Sequence, residues 1–303
     1  MGSAEHQAGG GPTDTDLPPH FVVNDRLALE RQSESFNSVR VQLVVLLLAT
    51  VVAMLAEHLP GHAMSALAAV LYALTIALGL CDSWRRPRAH WQAHRAAAEI
   101  LRSAAWQYMA HGGPYHAAAV EPEALFGRRL EERLRELRRV GWQDVRDDAQ
   151  LGSWQITDGM RAIRSRPFVE RRDLYVRERL RGQLDWYRDR AARTRRAAAR
   201  WSALTAVLTL CALVAAVLRA FGVLQHWDLT GLLSAAAAAG VAWQEARRHR
   251  PLTYAYKLIE RDLTVLEGRL GAMTAQGEWA EAVAEVERIV SPQHTDWLAR
   301  FGS

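Results

Sequence analysis

Residues 190–220 read RAARTRRAAARWSALTAVLTLCALVAAVLRA. The stretch begins as a basic, water-loving segment and turns, at Trp201, into an apolar run. Neither glycine nor proline interrupts the change, so the sequence predicts one helix whose first part is charged and whose second part is oily. A soluble fold could bury the oily part. A bilayer could also take it, with the charged part as a cytoplasmic stalk, and the rest of the chain favours the bilayer.

Four apolar blocks of this kind occur, at residues 41–56, 64–81, 201–218 and 229–243, none with a charge inside. Fifteen to eighteen helical residues span roughly 23–27 Å, slightly short of a ~30 Å hydrocarbon core. The blocks come in pairs joined by the short segments 57–63 and 219–228, which predicts two hairpins. Trp84, Trp201, Trp227 and Trp243 sit near block ends, as interfacial tryptophans do. Arginines crowd the outer ends: Arg85, Arg86 and Arg88 after the second block, Arg193 to Arg200 before the third, and Arg247, Arg248 and Arg250 after the fourth. The tips carry Glu57, Asp228 and the single Arg219. The positive-inside rule then puts both tips outside, with the N-terminus, the middle segment and the C-terminus in the cytoplasm. The expected fold class is an all-α membrane protein with four transmembrane helices in two hairpins and long cytoplasmic amphipathic, coiled-coil-like stalks.

The stalks show as helical seams. Trp91, His94, Ala98, Leu101, Ala105 and Tyr108 recur at spacings of three and four after the second block. Leu252, Tyr256, Ile259, Leu263, Leu266 and Leu270 do so more regularly after the fourth. Val176, Leu180, Leu184, Tyr187 and Ala191 share one face of a helix that runs into the third block. Helix over residues 171–218 would be about 70 Å long. Leu252 to Leu270, with Trp186 and Tyr187, are therefore the expected stalk-assembly residues, closing either within one chain or between chains. Gly112, Gly113 and Pro114 should stop the first stalk, and residues 141–167 read as a looser connection. The resulting domains are a disordered tail (residues 1–25), a first module (26–150) and a second (151–303). Residues 1–20 lack the apolar core of a signal peptide.

Composition narrows the function classes. The net charge is +5, and Lys257 is the single lysine against thirty-seven arginines, a balance that suits an anionic membrane surface as well as nucleic acid. Cys81 and Cys211 both fall inside apolar blocks, which predicts buried, inert thiols and no disulfide framework. His90 and His94 have zinc-like spacing but no third ligand, and His58 and His62 flank a Pro-Gly turn. No phosphate-binding glycine loop, nucleophile elbow or CxxC occurs. The expectation is a chain that is not an enzyme and has no cofactor, metal or catalytic residue. The acidic residues of the stalks read mostly as solvated partners of arginines three or four positions away.

Polar residues inside the blocks either bond their own helix backbone and help the helices pack, or form a water-contacting lining in an oligomer. Ser65, Tyr72, Thr75 and Asp82 form a stripe with Gly79 in the second block, and Ser202, Thr205 and Thr209 form one in the third. Gly231, Ala235 and Ala239 make a small-residue face in the fourth, which suits close helix packing. Asp82 and Glu57 at the helix ends could form acidic rings in an oligomer, which would favour cations.

The run ITDGMRAIRSRPFVERRDLYVRERLRGQLDWYRDRAARTRRAAARW resembles the SLATT group of two-transmembrane bacterial domains, including the family catalogued as DUF4231. Met160, Arg164, Arg171, Tyr175, Arg179, Leu180, Gln183, Trp186, Tyr187 and Ala191 carry the likeness. The tail is similar through Val283, Val286, Glu287 and Trp297, and the first stalk through Ala98, Glu99, Leu101, Arg102, Trp106 and Tyr108. The resemblance implies two tandem modules acting in bacterial conflict systems as a pore-forming effector or ion channel of the inner membrane. It implies the bilayer as partner, and a trigger that is a soluble sensor protein, a small ligand such as a nucleotide second messenger, or assembly itself. Further copies of the chain are expected because four helices leave little room for a lumen. Nucleic acid is not expected as a partner. The rival expectation is a non-conducting scaffold or receptor whose stalks recruit a soluble protein.

Overall fold

A computed structural model of the chain describes residues 16–85, 87–139, 155–223 and 227–291. Every regular element among them is helical: α1 (Pro19–Ala56), α2 (Ala63–Arg85), α3 (Pro87–Ala110), α4 (Pro122–Arg139), α5 (Asp158–Arg164), α6 (Phe168–Leu174), α7 (Gly182–Ala220), α8 (Leu229–Arg247), α9 (His249–Gly271) and α10 (Trp279–Ile289). A short 3-10 turn, Gly113–Tyr115, follows α3, and a π-turn, Tyr175–Arg181, joins α6 to α7. The chain forms two contact units, and each draws on both halves of the sequence. The first takes residues up to Glu30, Ala89–Ala191 and residues from Pro251 onward; the second takes Arg31–Arg88 and Ala192–Arg250.

The first unit is packed as a water-soluble domain is. Leu101, Met109, Phe126, Leu130, Leu134, Met160, Leu180, Ile259, Leu263 and Leu270 are fully buried in one continuous core. Spacing explains which face each helix buries. Phe126, Leu130, Leu134 and Leu137 follow one another at four, four and three on α4, and Tyr256 to Leu270 alternate three and four on α9. Each buried leucine contributes about 1.5–3 kcal/mol. The α9 seam thus closes inside the chain, with Leu252 packed at its edge.

Two expectations about this unit are corrected. Residues 16–25 do not belong to a disordered tail: Leu17 and Phe21 enter the core, and Asn24 Oδ1 lies 2.9 Å from His94 Nδ1. Residues 1–15 lie outside the described part. The connection at 141–167 also contains α5, which starts where Thr157 accepts the Met160 N–H at 3.1 Å and donates to the Asp16 carbonyl at 2.6 Å. An N-cap of this kind satisfies an amide the first helical turn leaves unpaired. The expected break after the first stalk falls at Gly112 and Gly113. Gly113 has φ of +50°, and a Cβ on Gly112 would collide with Val283 of α10.

The second unit buries little. The helical runs Pro19–Ala56, Ala63–Tyr115 and Phe168–Ala220 each hold an 18-residue window apolar enough to cross a membrane, and only 6%, 6% and 11% of those windows is buried in the chain. Ile76, Leu80, Val207, Leu210 and Leu213 stand more than half exposed. The fourth block is helical within α8, is rich in alanine and is followed by Gln244 and Glu245, and it is not among the three. Cys81 and Cys211 are exposed rather than buried, which corrects that expectation: they lie on apolar helix surfaces that protein does not cover.

Packing within the second unit uses small residues and isolated polar contacts. Gln42 of α1 lies over Gly79 of α2, where a Cβ would approach its Nε2 to 2.8 Å. Ser38 donates to Asp82 at 2.7 Å. On α8 the buried small residues are Ala237, Ala239 and Gly240, and a Cβ on Gly240 would meet the Thr205 methyl of α7 at 2.6 Å. Of the expected small-residue face, Ala239 is buried. Gly231 is exposed, and its amide is capped by Asp228 at 3.2 Å.

Candidate functional site

The chemically distinctive place among the described residues is a buried ionic node in the first unit. The π-turn inserts a wider loop into a helix that otherwise runs from Phe168 to Ala220, and such turns are frequent at functional sites. It directs Tyr175 and Arg179 to the same carboxylate of α10. Arg179 clasps Glu287 with two bonds, Nε to Oε1 at 3.0 Å and Nη2 to Oε2 at 2.7 Å. The Tyr175 hydroxyl donates to Oε1 at 2.9 Å. The same Arg179 Nη2 donates to Glu99 of α3 at 2.7 Å.

All three charged side chains are at least nine-tenths buried. A buried guanidinium is tolerable only when paired and hydrogen-bonded, and two carboxylates over-satisfy it. Burial works against both charges, yet Glu287 and Glu99 hold Arg179 protonated well above its ordinary range. Burial raises Glu99, but Arg179, then Arg102 and Arg95, bring it below the usual carboxylate range. Burial first, then the Glu287 charge, pushes the Tyr175 phenol well up. Aromatic rings wall the node. Trp106 and Trp279 meet Tyr175 edge-on at 5.8 and 5.7 Å, and the Trp279 indole donates to the Ala110 carbonyl at 2.6 Å. Glu99 and Glu287 correct the reading of stalk acids as solvated partners of nearby arginines.

The stalk residues gather lower on α7. Trp186, Tyr187 and Tyr256 form a ring cluster with centroids 4.9–5.8 Å apart. Tyr187 and Tyr256 are buried and Trp186 is exposed at its edge. Arg188–Glu260 and Arg181–Glu267 pairs at 3.1 and 2.6 Å flank it in solvent. His94 is turned to Asn24, and no group of three metal-ligating side chains occurs among the described residues.

The polar residues of the apolar blocks separate into two groups. Thr75, Thr205 and Thr209 return their hydroxyls to their own helices, at the carbonyls of Leu71, Trp201 and Thr205. Ser202 lies between Gln244 at 3.3 Å and Arg250 at 2.9 Å, and Asp82 is held by Ser38. Glu57, Ser65 and Tyr72 are exposed. His58, at the first tip, stacks on Trp227 at 4.3 Å.

Apolar helices that bury almost nothing in their own chain, together with a folded helical unit that has an ionic centre, define a helical membrane protein. Residues 18–172 match the family model for SMODS and SLOG-associating 2TM effector domain 3, and residues 175–297 match the model for domain 1 of the same group. No curated protein and no solved structure matches the chain. The chain belongs to the SLATT family, carries two of its domains in tandem, and is a membrane-associated effector of conflict systems. The two matches meet at the start of the π-turn. Glu99 lies in the first and Arg179 and Glu287 in the second, so Arg179 pairs across the two domains, as the Trp279–Ala110 bond also does. The sequence resemblance contained all of these residues but gave none of them a role.

Proposed function

We propose that the chain is a homo-oligomeric effector that forms or gates a pore in the bacterial inner membrane. In this reading α1, α2, α7 and α8 all cross the bilayer as two hairpins, with tips near Gly61 and Gly222 outside and both termini in the cytoplasm. A nucleotide second messenger or a soluble sensor protein triggers it, and the chain itself performs no enzymatic step.

The observation that supports oligomerisation best is Tyr72. It stands mid-way along α2, exposed, with no hydrogen-bond partner for its hydroxyl among the described residues. A hydroxyl left in hydrocarbon is costly, and another copy or a water-filled lumen relieves the cost. Ser65 and Glu57 extend that exposed polar set. Thr75, Thr205, Thr209 and Ser202, already satisfied, fit a packing role better, and Asp82 can act at a pore mouth only together with Ser38. Reconstituted protein should pass current, with Tyr72→Phe and Glu57→Gln lowering conductance or cation preference while assembly is kept. Liposomes that stay sealed at every protein density, with and without nucleotides, would favour the scaffold reading.

A further inference from the structure

Arg171 of α6 is only 5% exposed, and half of its guanidinium is committed. Its Nη1 donates to the carbonyls of Arg164, at 3.4 Å, and Arg166, which end α5. Its Nε and Nη2 are buried and have no hydrogen-bond partner among the described residues. Those two N–H groups form the edge that grips a carboxylate or phosphate with parallel bonds. An unpaired buried charge of this kind calls for a partner.

The surroundings specify that partner. His111 Nε2 lies 3.2 Å from the same Arg164 carbonyl. A carbonyl only accepts, so Nε2 carries the proton and Nδ1 is left as an acceptor. Nδ1 is itself buried and unpartnered. Burial, then Arg164 and Arg171, push His111 down to about 4, which keeps the ring neutral at neutral pH. Arg164 spends one nitrogen on the Tyr108 and Tyr115 carbonyls, at 2.6 and 3.1 Å. The carboxylate that acts on it, Glu123, is held by Arg161 at 2.9 Å. Arg171 and His111 thus meet at the Arg164 carbonyl, each keeps a buried polar edge without a partner among the described residues, and no carboxylate acts on Arg171.

We propose that Arg171, His111 and Arg164 form a binding site for a phosphate monoester or inorganic phosphate. Two phosphate oxygens take the Nε and Nη2 edge of Arg171, and the P–OH of the monoprotonated anion donates to His111 Nδ1. A carboxylate, or the phosphodiester of an ordinary lipid headgroup, has no proton to give Nδ1. The site does not depend on conduction, so its test is separate from that of the pore. A soluble phosphate compound and a phosphomonoester lipid offer the same chemistry.

The test is calorimetric titration of inorganic phosphate into the full chain in phosphatidylcholine nanodiscs, checked for folding by circular dichroism. Saturable binding at one phosphate per chain is expected. It should weaken about tenfold or more in Arg171→Lys, which keeps the charge and loses the fork. His111→Asn tests the second contact should Arg171→Lys fail to fold. Arg161→Lys, at an exposed arginine paired with Glu123, should bind as the parent does. Phosphatidic acid in the discs that blocks the titration assigns the site to a lipid monoester, and phosphate binding that persists in its presence assigns a soluble one. Absence of binding, or equal loss in Arg161→Lys and Arg171→Lys, overturns the proposal.

Discussion

Leu263 and Leu210 are the same residue in two solvents. Leu263 sits on α9 at 0% exposure and Leu210 on α7 at 60%, and both lie on stable helices. The first unit hides its leucines from water behind other side chains. The second displays them, and its three apolar helical runs bury almost nothing of their own. Hydrophobic burial within the chain explains the first unit, whereas the second needs neighbours from outside the chain, lipid above all. The two units also differ in how they treat charge. The first places a doubly paired arginine at its centre, while the second, Tyr72 excepted, meets its few polar groups with hydroxyls and helix-end contacts.

The largest effect should come from moving charge into the first core. Leu→Ala at a fully buried site costs about 2–5 kcal/mol. Leu263→Asp adds an unpaired carboxylate and should abolish cooperative unfolding of the first unit, read by circular dichroism in detergent. A sharp transition in that variant would mean that α9 is not part of a packed core.

Next in size is the joint between the domains. Arg179→Ala leaves two buried carboxylates facing one another and should cost about 3–5 kcal/mol. The triple replacement Arg179→Met, Glu99→Leu, Glu287→Leu should recover much of that, because apolar groups need no partner. Acid probes the same joint. Glu99 is held below its ordinary 4.5, so its contribution is present above that pH and is lost as pH falls through the lowered value. Arg179 stays charged throughout. An Arg179→Ala loss below about 1 kcal/mol would reduce the node to an ordinary surface pair.

A smaller effect belongs to His111. Its folded value is near 4 against an ordinary 6.5. Between those limits the unfolded chain binds more protons, and stability falls as pH drops from 6.5 toward 4. Solvent reaches the half-buried ring, which reduces the expected loss to about 1 kcal/mol. His111 has φ of +59°, which asparagine tolerates, so His111→Asn should flatten this part of the pH profile. The smallest effect is Leu210→Ala, about 0.5 kcal/mol or less in detergent. A loss as large as that of Leu263→Ala would place Leu210 in a protein core and erase the contrast between the units.

The parts of this fold that repeat along the helix were visible in the sequence. Apolar blocks, the Leu252–Leu270 seam and the Gly112–Gly113 break are local patterns, and the structure shows helices and a break where they occur. Residues 16–25 and α5 carry no helical period of their own. Leu17 and Phe21 are too few to set a period, and the signal at α5 is one cap, Thr157, ahead of Met160 and Ile163. The ionic node was less legible still. Arg179 finds its partners 80 and 108 residues away, and pairs so distant leave no spacing to detect. Glu99 and Glu287 look like any acid on an arginine-rich helix until the fold buries them.

A membrane-crossing α7 turns its apolar surface to lipid, and Cys211 reports on it directly. The thiol is exposed on that helix, ten residues beyond Trp201 in the apolar run. Water-borne reagents attack the thiolate, which forms poorly in hydrocarbon. In native membranes, a membrane-impermeant maleimide should therefore leave Cys211 unlabelled in a Cys81→Ser background, and labelling should become complete once detergent denatures the protein. Rapid labelling of Cys211 in intact membranes would place that face of α7 in water and contradict the account.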